Sequence, residues 1–83
     1  MNKILYFTAT WCGPCKALSP TVDGLIAEGL PFQKIDIDND QSLSNQYDVR
    51  SVPTLIKVDA NNNEINRLVG SRPADEIKNW YNN

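Results

Sequence analysis

Trp11-Cys12-Gly13-Pro14-Cys15-Lys16 constrains this chain more than any other stretch, because it holds both of its cysteines. An apolar run, Ile4-Leu5-Tyr6-Phe7, leads into it, and a segment of helical periodicity leaves it. Two residues between the cysteines bring the sulfurs to opposite ends of one tight turn. A dithiol at a strand-to-helix junction is a redox signature, though one shared by many proteins.

Size and composition narrow the chemistry. Eighty-three residues make one domain, and a chain of this length buries only roughly 60–65% of its unfolded surface, so the core must be compact and the loops short. The hydrophobic fraction of 41% and charged fraction of 22% are ordinary for a soluble globular protein. With two cysteines and no histidine, the chain alone cannot complete a zinc site of thiolates and imidazoles. A net charge of −2 without any basic run argues against nucleic-acid binding. No stretch approaches the ~20 apolar residues of a membrane span. Met1-Asn2-Lys3 leads straight into a strand, with no apolar leader. The expectation is a cytoplasmic protein without membrane association, in a compartment where a cysteine pair is more often catalytic than a staple.

The elements read β-α-β-α-β-β-α. Lys3 to Thr8 lacks polar alternation, which suits a strand covered on both faces. A helix from about Lys16 to Glu28 places Ala17, Leu18, Val22, Leu25 and Ile26 on one side. Pro20 lies inside it as a kink, and Gly29 stops it. Phe32 to Ile37 forms the next strand, with Phe32, Ile35 and Ile37 packing. Asp40 caps a short helix through Gln46 or Tyr47, on which Leu43 and Tyr47 share a face. Thr54 to Val58 and Glu64 to Val69 form a hairpin across an Ala60-Asn61-Asn62-Asn63 turn. Pro73, in a helix first turn, opens a last helix to about Tyr81. A right-handed first crossover makes the first two strands parallel. The fold class is α/β, with a four-stranded mixed sheet flanked by helices.

The dithiol's position assigns its chemistry. A thiol attacks only as the thiolate, and Cys12 at the amino end of a helix meets free N–H groups and the positive end of the dipole. Both lower a cysteine pKa below its free value of ~8.5. Cys15, one turn further in, is more buried and stays a thiol. Cys12 then attacks a substrate disulfide, and Cys15 attacks Cys12 to release the reduced substrate. Gly13 and Pro14 keep the turn tight. The bland reading is a small structural disulfide or two incidental buried cysteines.

The segment Ala9-Thr10-Trp11-Cys12-Gly13-Pro14-Cys15-Lys16 resembles the active-site segment of thioredoxins, and Pro20 matches the proline inside the helix that follows. Val49-Arg50-Ser51-Val52-Pro53-Thr54 resembles the loop whose proline is cis in that family. Val69-Gly70 resembles the glycine-containing loop that completes the substrate groove. The resemblance spans nearly the whole chain and implies a thioredoxin-like fold. It also implies protein-disulfide reduction with no bound cofactor beyond a redox-active Cys12–Cys15 disulfide, recharged by a thioredoxin reductase with NADPH behind it. Trp11, Gly13, Pro14, Val52, Pro53 and Gly70 would form the substrate groove, with Trp11 as a flat apolar ring beside an exposed nucleophile. The partners expected are disulfide-containing proteins, with no nucleic acid and no membrane, and the protein is expected to be a monomer.

Two departures from the family pattern stand out. Thioredoxins begin with an extra strand and helix that this sequence lacks, which would leave the second strand at an open edge, a candidate site for association. They also carry a buried aspartate six residues before the nucleophile, accompanied by a lysine. Lys34 matches the lysine, but Tyr6 replaces the aspartate, exchanging an acid of pKa ~4 for a phenol of pKa ~10. Both residues are candidate modulators. Water, the Cys12 sulfur and the Tyr6 hydroxyl remain as acceptors for the Cys15 proton, so resolution by Cys15 should be slower or differently pH-dependent. A glutaredoxin-like electron donor and a binding subunit with a dispensable dithiol remain as alternatives.

Overall fold

The first strand, β1 (Lys3–Thr8), is the axis of the molecule in the computed structural model, which describes residues 1–83. The chain continues through α1 (Gly13–Ala27), β2 (Phe32–Asp36), α2 (Gln41–Gln46), β3 (Thr54–Val58), β4 (Glu64–Val69) and α3 (Ala74–Asn82). This is the expected order. β1 pairs parallel with β2 on one side and antiparallel with β3 on the other, and β4 closes the sheet in the order β2-β1-β3-β4.

The unbroken apolar run of β1 exists because both of its faces are covered. Ile4 and Tyr6 join Leu18, Val22 and Leu25 of α1, Leu55 of β3 and Ile77 of α3 in one cluster. Leu5 and Phe7 join Ile35, Ile56, Val58 and Tyr47 in another on the opposite face. Successive strand side chains point to opposite sides, so a strand between two cores has no polar position to spare.

Helix α1 begins at Gly13, three residues before the expected Lys16. Cys12 is its N-cap, and the Cys15 N–H donates to Cys12 Sγ at 3.1 Å. Gly13 and Pro14 form the first turn, where the missing proline N–H would have had no helical acceptor. Ala17 and Ile26 do not share the buried face. The packed stripe is narrower than expected and runs through Cys15, Leu18, Val22 and Leu25. Pro20 sits within the continuous helix. Gly29 adopts φ 100°, while its N–H bonds Ile26 O at 2.9 Å and Leu30 N bonds Leu25 O at 3.0 Å. That double closure is the left-handed helix stop for which glycine is suited.

The remaining elements differ by a residue or two. β2 ends at Asp36, because the Asp36 carbonyl accepts from Asn39 N and Asp40 N and so turns the chain. Asp40 caps α2 through Leu43 N at 3.1 Å, as expected. Pro73 is extended and lies at the cap of α3 rather than in its first turn, and α3 runs on to Asn82. β2 does lie at the sheet edge, where Gln33 and Lys34 are exposed. A lysine there discourages edge-to-edge pairing.

One buried charge was not foreseen. Lys57, in the middle of the fully covered β3, is 2% exposed. Its Nζ donates to the carbonyls of Trp80, Tyr81 and Asn83 at 3.3, 3.1 and 2.9 Å. The last carbonyls of a helix have no partners within it and form the negative end of its dipole, so an ammonium is well matched to them. Lys57→Met should lower stability by roughly 1.5–3 kcal/mol, the range for hydrogen bonds to a charged group. Urea unfolding of the two proteins measures it.

A second anchor holds β4 to α2. Arg67 grips the Glu64 carboxylate through Nε at 2.7 Å and Nη2 at 2.6 Å, and Nη2 also donates to Tyr47 O at 2.7 Å. The Arg67 hydrogen bonds hold the Glu64 carboxyl below its ordinary value, against the opposing effect of burial. A lowered folded pKa stabilises above the unfolded value and ceases to do so as pH falls through the folded one. The pair is about one-third exposed, so its contribution is at most about 1 kcal/mol. Glu64→Gln should therefore be less stable than wild type at neutral pH. The two urea midpoints should converge as acid protonates Glu64.

Candidate redox site

Cys12 and Cys15 are joined in a disulfide with Cα atoms 5.2 Å apart. They sit where β1 hands the chain to α1. A thiolate at Cys12 would accept the Cys15 N–H that its sulfur already accepts, and it would lie at the positive end of a fifteen-residue helix. Ala9, Ile37 and Val52 pack around the pair. Cys15 is 1% exposed, in line with the burial expected for it, but Cys12 is only 4% exposed. The exposed nucleophile expected from the sequence is thus covered almost as well as its partner, with Ala9, Ile37 and Val52 packed around the pair.

That loop supplies the opposite wall. The Val52–Pro53 peptide is cis, as expected, and Val52 O lies 3.6 Å from Cys12 Sγ. The disulfide sulfur has no proton to donate, so this is a contact here; a Cys12 thiol would have one. Gly70 adopts φ 94°, which glycine tolerates, and its N–H donates to Pro53 O at 2.9 Å. The hairpin therefore ties Gly70 to Pro53, and Pro53 follows the residue that touches Cys12. Trp11, Gly13 and Pro14 form the exposed rim on the other side, with Trp11 64% exposed. The Trp11 ring is not a core residue. Its Nε1–H donates to Asp38 Oδ2 at 2.8 Å, a tether that sequence reasoning missed, since Asp38 reads only as part of an acidic turn.

Of the two candidate modulators, one reaches the site. Lys34 bonds Asp23 of α1 at 2.6 Å, half exposed, and makes no hydrogen bond to Tyr6 or to either cysteine. Tyr6 is fully buried beneath the start of α1. Its hydroxyl lies 3.2 Å from both the Cys15 carbonyl and Ser19 Oγ, while Ser19 Oγ donates to the same carbonyl at 2.9 Å. One phenolic proton is shared between those two acceptors, and neither is a sulfur. Tyr6 thus braces the backbone of the second cysteine. Ser19 was missed because a serine on a helix face carries no motif. Tyr6→Phe should cost about 0.5–1.5 kcal/mol for one neutral hydrogen bond, read by urea unfolding.

A buried strand, a tight turn whose first cysteine caps a helix, and a cis-proline loop against that cysteine define a thiol–disulfide oxidoreductase with a thioredoxin-like fold. The family model for thioredoxin matches residues 2–83, and on that match the chain belongs to the thioredoxin family. It is 44% identical over 70 residues to the thioredoxin of Echinococcus granulosus, covering 82% of this chain and 64% of that one. With the thioredoxin of Chlamydia trachomatis it shares 42% over 77 residues, covering 89% and 74%. The chain thus spans about two-thirds to three-quarters of the length of these relatives. The structure of a mutant thioredoxin from Halobacterium salinarum superposes with a TM-score of 0.85 at 38% identity, over 96% of this chain and 71% of that one. Thioredoxin NaTrxh from Nicotiana alata does so at 0.87 and 31%, over 95% and 69%.

Proposed function

We propose that the 83 residues act as one domain that reduces disulfides of other proteins, with Cys12 attacking and Cys15 resolving. The asymmetry of the pair supports this reading best: Cys12 caps α1 and meets the Val52–Pro53 loop, whereas Cys15 is enclosed within the first turn. In the reduced protein the Cys12 thiolate attacks one sulfur of a substrate disulfide. The other substrate sulfur leaves as a thiol, and Cys12 is held in a mixed disulfide. Cys15 then attacks Cys12, the bond to the substrate breaks, and the Cys12–Cys15 disulfide forms. The substrate gains two electrons and two protons, and the protein is oxidised.

The groove around Cys12 suits an extended peptide. Val52 offers backbone groups for a short strand-like pairing. Trp11, Gly13, Pro14 and Gly70 would line the path, and Pro53 would hold the Val52 backbone in place. Trp11, tethered to Asp38, presents an apolar face to partners without occupying the core. The natural partners in this reading are a thioredoxin reductase, with NADPH as its electron source, and disulfide-containing proteins of the cytoplasm. The protein acts as a monomer and binds no cofactor beyond its own disulfide. The glutaredoxin-like reading is weaker, since Trp11 and Gly13-Pro14 fit thioredoxins. A binding subunit would leave the two sulfurs without use.

Insulin reduction coupled to thioredoxin reductase tests the proposal. The wild type should turn over, while Cys15→Ser should lose at least about 99% of turnover and accumulate a covalent mixed disulfide on Cys12, because the resolving sulfur is gone. Turnover only with glutathione, or full biological activity with both sulfurs replaced, would overturn it.

A further inference from the structure

Cys15 must give up its thiol proton as it attacks Cys12, yet it is 1% exposed. The buried polar and charged side chains are Ser44, Thr54 and Lys57, and none is a carboxylate. The buried Tyr6 phenol is engaged with the Cys15 carbonyl and Ser19. Proton acceptance therefore has to reach Cys15 from outside the core.

A path exists. A solvent-open pocket of about 330 Å³ reaches Cys15, and Thr8, Lys16, Ser19 and Asp36 are among the residues that line it. At about 30 Å³ per water, it has room for a chain of several waters. The sheet register explains why a carboxylate stands there. Asp36 pairs with Thr8 across β1 and β2. Its neighbour Ile35 packs into the cluster on the α2 face, so alternation turns Asp36 toward α1. Lys34 obeys the same alternation by pairing with Asp23 of α1. Asp36 Oδ1 accepts the Asp38 N–H at 2.9 Å, and its second oxygen carries no protein hydrogen bond.

We propose that Asp36 is the proton acceptor for Cys15, reached through water held in this pocket. The inference rests on the reductase reading above. In the mixed disulfide, the Cys15 S–H proton passes through water to the Asp36 carboxylate as the Cys15 sulfur bonds to Cys12 Sγ. The Cys12–substrate S–S bond breaks, the substrate sulfur leaves with the electron pair, and Asp36 returns its proton through the same water. The other ionisable groups near the pocket are Lys16 and Asp23 on α1, Tyr6 on β1, Lys34 on β2 and Asp38 beyond it. Lys34 and Asp23 pair with each other, Asp38 holds Trp11, and Tyr6 holds the Cys15 carbonyl and Ser19. Asp36 is the carboxylate left facing Cys15 across the pocket.

The test separates the two sulfur steps. Reduced protein is mixed with excess of an aromatic disulfide whose thiol is coloured. Attack by Cys12 releases one coloured thiol, and resolution by Cys15 releases the second. General-base transfer by a carboxylate keeps the second rate flat from about pH 6 to 8, between the ordinary ranges in which carboxyls and thiols titrate. Asp36→Asn retains an oxygen for the Asp38 N–H but accepts no proton. Its second phase should be about tenfold slower at pH 7 and rise with pH, as expected when solvent must ionise the thiol, with the first phase unchanged. A second phase in Asp36→Asn that matches wild type in rate and pH profile overturns the proposal. So does a pH-flat second phase that is lost in Tyr6→Phe but kept in Asp36→Asn. A wild type with no first phase and no insulin reduction would instead overturn the reductase reading itself.

Discussion

Everything in this molecule depends on β1 being covered on both faces. Ile4, Leu5, Tyr6 and Phe7 are at most 3% exposed, and each alternate pair joins a different core. Burying a large apolar side chain contributes about 1.5–3 kcal/mol, so four consecutive ones fix the strand between its layers. A one-residue slip would exchange the two sets and place Tyr6 among the α2-side residues, where its hydroxyl would lose Cys15 and Ser19. The register of β1 is therefore also the register of the redox site.

From that strand the site follows by short, local steps. β1 ends at Thr8, and the turn through Trp11 delivers Cys12 to the cap of α1. β3 lies antiparallel beside β1, so Thr54 at the start of β3 pairs with Phe7 near the end of β1. That pairing brings the preceding Val52–Pro53 to the same end of the sheet as the cysteines. β4, paired with β3, returns Gly70 to Pro53. Three segments far apart in sequence meet at Cys12 because three neighbouring strand ends coincide there.

Much of this was legible from residue pattern alone. The element order, the Asp40 cap, the Leu18-Val22-Leu25 stripe of α1 and the cis Val52–Pro53 peptide all follow from periodicity, capping or family resemblance. The start of α1 was misplaced because Gly13 and Pro14 are poor interior helix formers yet acceptable in a first turn. The near-complete cover over Cys12 was not legible because it depends on tertiary packing of Ala9, Ile37 and Val52 around the pair. Lys57 illustrates the same limit. Within Thr54-Leu55-Ile56-Lys57-Val58, alternation says only that Lys57 lies on the face opposite Ile56, and nothing local shows that the end of α3 waits there with three carbonyls.

Lys57 and Tyr6 together show how the chain handles polarity in a small core. Burying an ion costs several kcal/mol unless it is paired or well hydrogen-bonded. The chain buries one such charge at Lys57, far from the sulfurs, where a helix end compensates it. Beneath the dithiol it instead places a neutral phenol, which hydrogen-bonds the backbone of Cys15 with no charge to desolvate. A carboxylate at Tyr6 would have to be buried under α1 with no cation beside it, since Lys34 is committed to Asp23. Asp36, half-buried at the pocket wall, keeps contact with water and so avoids that desolvation. The start of α1 is thus held by neutral hydrogen bonds, while the carboxyl group stays where solvent still reaches it.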